Sequence, residues 1–332
     1  MTTALTPIRF TKMHGIGNDY IYINCFEQRI DDPVSLAKVM SDRHTGVGGD
    51  GIILICPPSA SVRADVRMRM FNADGSESEM CGNGIRCVCK YAHDHGLSKT
   101  NPMCIETGRG VLSLNYTLDT SKKVDQVTVD MGAPLLAPDD VGVRHEFLHD
   151  LFSTLAEMGF GDALVARNDA EFDSTVQGVQ ATTWMLPGQP AGDRRQSLPN
   201  DAAWMAVSTG NPHIVFFVRD AAKIPLAQIG PLIELHHSFP RRINVHVVQV
   251  HSRREISMRT WERGTGITLA CGTGASAVCV AGASLNLTDR EILAHLPGGD
   301  LRLRWDKKTN HVFKTGPAVE VFDGIWAMNS QR

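Results

Sequence analysis

The sequence predicts an α+β fold of two pseudo-symmetric domains, each a mostly antiparallel, barrel-like sheet wrapped around one central helix. Three observations predict it. The segment Arg69–Gly84, RMFNADGSESEMCGNG, is repeated without gaps by Arg259–Gly274, RTWERGTGITLACGTG. In that register Arg69 falls on Arg259, Phe71 on Trp261, Asn72 on Glu262 and Cys81-Gly82-x-Gly84 on Cys271-Gly272-x-Gly274. The extended segments are short and punctuated by Gly, Pro and Asp, as antiparallel sheets are, while helical periodicity is rare. Finally, 332 residues exceed one ordinary core and suit two domains.

Each copy has a strand–loop–helix grammar. Val66–Phe71 and Glu255–Trp261 alternate polar and apolar residues and read as strands. A polar, glycine-bearing loop follows, and then a helix that opens at the cysteine, Cys81–Asp94 and Cys271–Leu285. The second helix is apolar nearly all round, which predicts burial on every side. An upstream pair, Gly17-Asn18-Asp19-Tyr20-Ile21 and Gly210-Asn211-Pro212-His213-Ile214, keeps the register, with Asn18 63 positions before Cys81 and Asn211 60 before Cys271. Further strands are expected at 9–13, 20–24, 52–56, 111–116, 126–131, 204–208, 214–218, 244–250, 301–305 and 319–322, and helices at 34–41, 147–157 and 229–236. The expected domains are residues 1–131, to which the C-terminal strand within 318–332 returns, and 132–317. Residues 165–200, rich in Gln, Asp, Pro and Gly, read as an exposed insertion in the second, with Trp184-Met185-Leu186 docking locally.

Composition narrows the function. Hydrophobic content of 42% supports packed interiors, and a formal charge of −3 gives no pull toward nucleic acid or anionic membranes. No apolar run approaches the length of a spanning helix, and the N-terminal stretch lacks the pattern of a signal peptide. Eight cysteines scattered over this length do not resemble a secreted disulfide framework, so a reducing cytoplasm is expected.

The repeated cysteines carry the chemistry. A thiol at a helix N-terminus faces the positive end of the dipole and unpaired N–H groups, which favour the thiolate. The N–H groups of Gly82 and Asn83, with those of Gly272 and Thr273, suit one carboxylate and the charge that develops when the neighbouring carbon loses a proton. Duplication offers two thiols to one substrate, one to remove a proton and one to deliver it from the opposite side. A lone Cys-Gly-x-Gly would more simply be a buried hydrophobe, and Cys87, Cys89 and Cys279 are read that way. No Cys-x-x-Cys pair suggests a metal. His93 and His95 are expected to be solvated at a helix end.

Asn72-x-Asp74-Gly75-Ser76-x-x-x-x-Cys81-Gly82-Asn83-Gly84-x-Arg86 closely resembles the signature of diaminopimelate epimerases. So do Gly15-x-Gly17-Asn18-Asp19-Tyr20, Asp42-Arg43-His44-x-Gly46-x-Gly48-x-Asp50, Gly210-Asn211-Pro212-His213, Asn244-Val245, Trp261-Glu262-Arg263-Gly264 and Ala270-Cys271-Gly272-Thr273-Gly274. The resemblance implies cofactor-independent inversion of L,L-diaminopimelate to the meso form, serving lysine and peptidoglycan synthesis, by a homodimer. It implies that Cys81 and Cys271 are the acid/base pair and that His213 and Glu262 tune or orient them. Asn18, Asn72, Asn211, Asn244, Glu262 and Arg263 match substrate contacts, and Gly82, Asn83, Gly272 and Thr273 the carboxylate cradle. Gly51 departs from members with Gln there, so that contact is absent. The alternatives are a proline-type racemase or phenazine-type isomerase on the same fold, and, from another class, a thiol redox or metal-binding protein. The distal set of Asn, Arg and Glu favours a substrate with two amino-acid ends.

Overall fold

The computed structural model describes residues 7–165 and 203–327. All of the expected insertion beyond Val165, with Trp184-Met185-Leu186, lies outside them. The chain divides into two compact units, residues 1–130 with 315–332, and residues 131–314.

In the first unit, β1 (Ile8–Gly15) and β2 (Asn18–Asn24) form an antiparallel hairpin. Its two-residue loop has φ of 51° at Ile16 and 84° at Gly17, the left-handed pair that a type I′ turn requires. Gly17 adopts this readily, but a β-branched Ile16 is strained there and is retained by complete burial of its side chain. Helix α1 (Pro33–Ser41) starts on Asp32, which accepts from the Ser35 N–H at 3.0 Å, with Pro33 in the first turn. It buries Leu36, Ala37 and Met40 against Ile21, Ile23, Ile52 and Leu54. As a crossover, α1 makes β3 (Gly51–Cys56) parallel to β2. β4 (Val66–Asn72) returns antiparallel, carries the two-residue β5 (Glu77–Ser78), and leads to α2 (Gly84–Asp94). That second crossover sets β6 (Met103–Thr107) parallel to β4, and β7 (Gly110–Leu118) and β8 (Val124–Asp130) follow antiparallel.

The second unit begins with the short α3 (Pro138–Val141) and α4 (Leu148–Glu157) and then repeats the same pairings. β9 (Trp204–Ser208) and β10 (Pro212–Phe217) are antiparallel, and β11 (Asn244–Ser252) lies parallel to β10 after α5 (Leu226–Glu234). β12 (Glu255–Glu262) is antiparallel to β11 and to β13 (Gly266–Thr268). Across α6 (Gly272–Ser284), β14 (Glu291–Leu296) is parallel to β12, and β15 (Gly299–Trp305) is antiparallel to β14. After β16 (Val312–Pro317), β17 (Val319–Trp326) pairs antiparallel with β1. Among the described residues, the equivalent edge of β9 carries the isolated bridge Leu135 to Ser208.

The mixed α+β class and the mostly antiparallel sheets are as expected, with parallel joins added wherever a helix crosses over. Helix α5 begins one turn before its expected start, because Leu226 joins Ile229 and Ile233 in the buried face. Strands β5, β6, β13, β14 and β16 were not expected. The first and third are too short to show a period. In β16 the buried alternate position after Val312 is Lys314, which breaks the apolar pattern. Every residue of α6 except Thr273 is buried.

Candidate active site

In the first unit the cysteine precedes its helix rather than opening it. Asn83 is the N-cap of α2, and Cys81 lies two residues earlier. The Gly84 N–H nevertheless donates to Cys81 Sγ at 3.3 Å, so the first amide of the helix reaches the sulfur. The Cys81 thiol donates to Asn18 Oδ1, also at 3.3 Å. Asn18 is oriented from behind, since its Nδ2 donates to Asp50 Oδ2 at 2.7 Å and leaves Oδ1 for the sulfur. Asp50 also accepts from the Asp19 N–H and from Arg43, whose guanidinium grips Asp19 with both nitrogens. Lys12 closes the network on Asp19 at 2.6 Å. Burial works to raise the Asp19 carboxyl, but Arg43 and Lys12 outweigh it and hold the group below the usual carboxylate range. The motifs that contain Arg43 and Asp50 therefore act as scaffolding for Asn18. Tyr22 ties the α2 start to β2 through its hydroxyl, which donates to Gly84 O at 3.2 Å.

Arg86 fixes the loop that holds the cysteine. Its side chain is fully buried, with Nη1 donating to Gly82 O at 3.2 Å and Asn83 Oδ1 at 3.0 Å, and Nε to Pro317 O at 3.2 Å. Its Nη2 has no hydrogen-bond partner among the described residues, and burial lowers its pKa. Gly15 makes room for it, because a Cβ there would lie 2.9 Å from Nη2. Asn72 is half-buried and donates to Ser76 Oγ at 3.0 Å. Gly51 stands where a Cβ would meet Phe71 O at 2.1 Å, so this backbone path excludes any longer side chain.

In the second unit Cys271 is itself the N-cap of α6. It is buried, and burial together with the neighbouring Glu262 carboxylate, to which its thiol hydrogen-bonds, pushes its pKa well above the usual thiol value. Thr273 Oγ1 lies 3.6 Å from Sγ and opposes that shift, as does the Gly274 N–H. Glu262 is held by Thr268, whose hydroxyl donates to Oε1 at 2.6 Å. The resting second half is thus a protonated thiol beside an oriented carboxylate.

His213 lies in a buried chain of side chains. Its Nε2 is 2.9 Å from Asn211 Oδ1, its Nδ1 is 2.9 Å from His246 Nε2, and His246 Nδ1 is 2.9 Å from Thr260 Oγ1. With Asn211 Oδ1 as acceptor, each imidazole donates through Nε2 and accepts at Nδ1, from Thr260 onward. Both rings are neutral. Burial drives His246 down to about 3 and, with His246 alongside, takes His213 well below its ordinary value. The chain holds the Asn211 oxygen inward. The His246 ring also packs under α6, where a Cβ on Gly274 would fall 2.2 Å from Cε1.

His246 escaped the sequence reading, and the signal available was the register of β10 and β11, which pairs His213 with Asn244. Asn244 is buried with its amide committed to backbone, Nδ2 donating to Pro212 O at 2.9 Å and Oδ1 accepting from the Arg263 N–H at 3.0 Å. Arg263 is exposed and donates to Arg241 O. Gly272 is buried, and the Thr273 carbonyl accepts from Thr209 Oγ1 at 3.1 Å. Cys87, Cys89 and Cys279 are fully buried, and burial raises them to about 11, 12 and 12. His93 is not solvated as expected but buried, 2.9 Å from Asp94 and packed on Tyr116. Among the described residues no cluster of three or more His, Cys, Asp or Glu is placed to hold a metal.

The fold of this chain, two helix-cored units of repeated strand pairing, is shared with proteins of solved structure. A phenazine biosynthesis protein of the PhzF family from Bacillus anthracis is similar with a TM-score of 0.60 at 16% identity, covering 97% of this chain and 99% of that one. A hydroxyproline epimerase from Agrobacterium vitis is similar with a TM-score of 0.56 at 13% identity, covering 99% and 94%. Such identities carry the fold alone. The particular family is set by sequence: the chain belongs to the diaminopimelate epimerase family, whose profile matches residues 10–136 and 205–321. The diaminopimelate epimerase of Acetivibrio thermocellus is 44% identical over 322 residues, covering 97% of this chain and 99% of the relative. That of Methanococcus maripaludis is 39% identical over 317 residues, covering 96% and 99%.

Proposed function

We propose that this isomerase inverts one α-centre of diaminopimelate, L,L to meso, with Cys81 and Cys271 as the two acid/base groups and no cofactor. The observation that carries the proposal is the Cys271–Glu262 pair at the head of α6, matched in the first unit by Cys81 under the first amide of α2. As a base, Cys271 passes its proton to Glu262 and takes one from the substrate carbon. As an acid, it donates the proton it already carries. Cys81 performs the complementary half of each inversion. The helix-head amides of Gly82, Asn83, Gly272 and Thr273 hold the reacting carboxylate and steady the charge on the carbon next to it. Asn18, Asn72 and Asn211 supply polar contacts, Arg263 grips the distal carboxylate, and Asn244 positions the Arg263 backbone. His213 acts by orienting Asn211. The same reading places the enzyme in the cytoplasm, in lysine and peptidoglycan precursor synthesis, as a homodimer without nucleic-acid or membrane partners.

The test is solvent exchange. L,L-diaminopimelate incubated with EDTA-treated enzyme in deuterated water should acquire one deuterium at the inverted carbon of the meso product. Cys81→Ala and Cys271→Ala should each abolish net inversion, because inversion needs a base and an opposing acid. A Cys271→Ala enzyme that interconverts the isomers at near-native rate would sink the two-thiol assignment.

A further inference from the structure

Two cysteines outside the repeated cassettes form a second thiol pair in the first unit. Cys56 ends β3, and Cys25 follows β2 directly. These strands run parallel with Asn24 opposite Ile55, and the Cys25 N–H donates to Ile55 O at 2.8 Å. In a parallel ladder that bond sets Cys25 opposite Cys56. Pro57 has no N–H to extend the ladder, so pairing stops at the two cysteines. Neighbouring strands lie about 4.8 Å apart, within the Cα separation of about 4.4–6.8 Å that a disulfide bridges. The two side chains also share a face and hydrogen-bond each other.

Both thiols are partly exposed, unlike Cys87, Cys89 and Cys279. With Phe26, Gln28, Leu54 and Arg69 they line a cavity of about 510 Å³. The charges around them differ in effect. Cys56 accepts the Cys25 hydrogen bond and has Arg69 and Arg67 alongside, which together outweigh burial and hold it below the ordinary thiol value. Cys25 is driven far up because it gives that hydrogen bond and because it is buried.

We propose that Cys25 and Cys56 are a reversible redox-modification site for hydroperoxides, with Cys56 as the nucleophile and Cys25 as the resolving thiol. The Cys56 sulfur attacks the terminal peroxide oxygen, forming an S–O bond as the O–O bond breaks. The departing alkoxide or hydroxide takes a proton from solvent. Cys25 then attacks the sulfenic sulfur, and the S–S bond forms while the hydroxyl leaves as water with the Cys25 proton. Two thiols lose two electrons and two protons, and one hydroperoxide becomes an alcohol (or water) plus water. A thiol reductant reverses the step. The pair is independent of the roles assigned to Cys81 and Cys271.

Reduced full-length protein, freed of reductant, is treated with stoichiometric hydrogen peroxide, alkylated, digested without reduction and mapped by mass. The expected first product outside the two cassettes is a Cys25–Cys56 linked peptide that disappears on reduction. Cys25→Ser should leave Cys56 trapped by dimedone as a sulfenic acid adduct, and Cys56→Ser should leave no adduct at Cys25. In the unmodified protein, iodoacetamide at neutral pH should label Cys56 about tenfold faster than the partly exposed Cys104, as a lowered thiol pKa requires. Oxidation at Cys104 ahead of Cys56, absence of the linked peptide, or equal labelling rates each overturn the proposal. The peptide map and labelling rates use the native chain, so neither depends on a variant folding.

Discussion

Gly274→Ala should damage the second half-site through His246. The added Cβ would stand 2.2 Å from Cε1, 2.7 Å from Nε2 and 3.0 Å from Nδ1 of that ring. Carbon atoms rest about 3.5 Å apart, so the ring or the start of α6 must retreat by about 1.3 Å. Neither has slack. The ring is pinned at both nitrogens, by His213 and Thr260 at 2.9 Å each, and α6 is buried from Gly274 to Ser284. Overpacking costs about 1–3 kcal/mol, and a broken buried hydrogen bond about as much again, giving roughly 2–6 kcal/mol. In a unit of this size that lowers Tm by roughly 5–15 °C. Because the displaced ring also orients His213 and Asn211, kcat/KM should fall with Tm.

Calorimetry and steady-state kinetics on Gly274→Ala, His246→Ala and the double variant measure the effect. In the double variant the methyl group has room, so its loss should fall short of the sum of the singles by about 1–2 kcal/mol. Strict additivity, or a Gly274→Ala enzyme with native Tm and kcat/KM, would refute the contact as the cause. The equivalent Gly84→Ala should be milder. Its Cβ would press mainly on Cδ1 of Ile53 at 2.6 Å, the tip of a side chain that can rotate away.

Acid should unfold the protein partly through the buried histidines. Their folded-state pKa values are depressed, so the unfolded chain alone binds protons below pH 6.5, and stability falls from there toward the folded value of about 3 for His246. The slope is about 1.4 kcal/mol per pH unit for each ring, and His246→Gln should remove one ring's share in urea titrations between pH 6.5 and 4. Arg86→Lys cannot reach Gly82 O, Asn83 Oδ1 and Pro317 O together, and should cost about 3 kcal/mol in thermal unfolding as well as kcat. An unchanged Tm would show the guanidinium to be dispensable. Cys87→Ala and Cys279→Ala should each lose about 1 kcal/mol of stability with native kcat, since both are buried packing groups.

The repeated cassettes were legible because each places a short alternating strand, a polar loop and a glycine-bearing helix start within a few residues, where local chemistry decides the structure. What the sequence hid depends on pairing between distant strands. His246 sits in an apolar run, Asn244-Val245-His246-Val247-Val248, and its meaning comes from His213, 33 positions away on a parallel neighbour. Asp50 and Arg43 likewise act on Asn18 across 32 and, through Asp19, 24 positions. The start of α2 was misplaced because its cap is Asn83, which takes up helical angles with no side-chain capping bond, and glycines on both sides blur the boundary. His93 was mistaken for a solvated end residue because its cover, Tyr116, arrives from β7.

Duplication has conserved the backbone of the two half-sites while letting their protonation chemistry diverge, and the divergence is concentrated at one aligned position. Strand β4 ends on Asn72 and strand β12 on Glu262, each just before the loop that leads to its cysteine. Asn72 is a neutral amide bonded to Ser76, whereas Glu262 is a carboxylate that accepts from the Cys271 thiol and is oriented by Thr268. In the proposed mechanism a carboxylate at that place adds to burial in keeping the second thiol protonated and gives its proton somewhere to go, and an amide at the first place does neither. The proposed two-base inversion needs one thiol and one thiolate at any moment, because two thiols would leave it without a base and two thiolates without an acid. Glu262→Gln is the substitution that makes the second half resemble the first. It should remove the carboxylate's upward push on Cys271, so that iodoacetamide alkylates that thiol faster at neutral pH, while net inversion slows by about 10²-fold or more for want of the proton acceptor. Unchanged alkylation with unchanged turnover would mean that Glu262 serves only as a substrate contact.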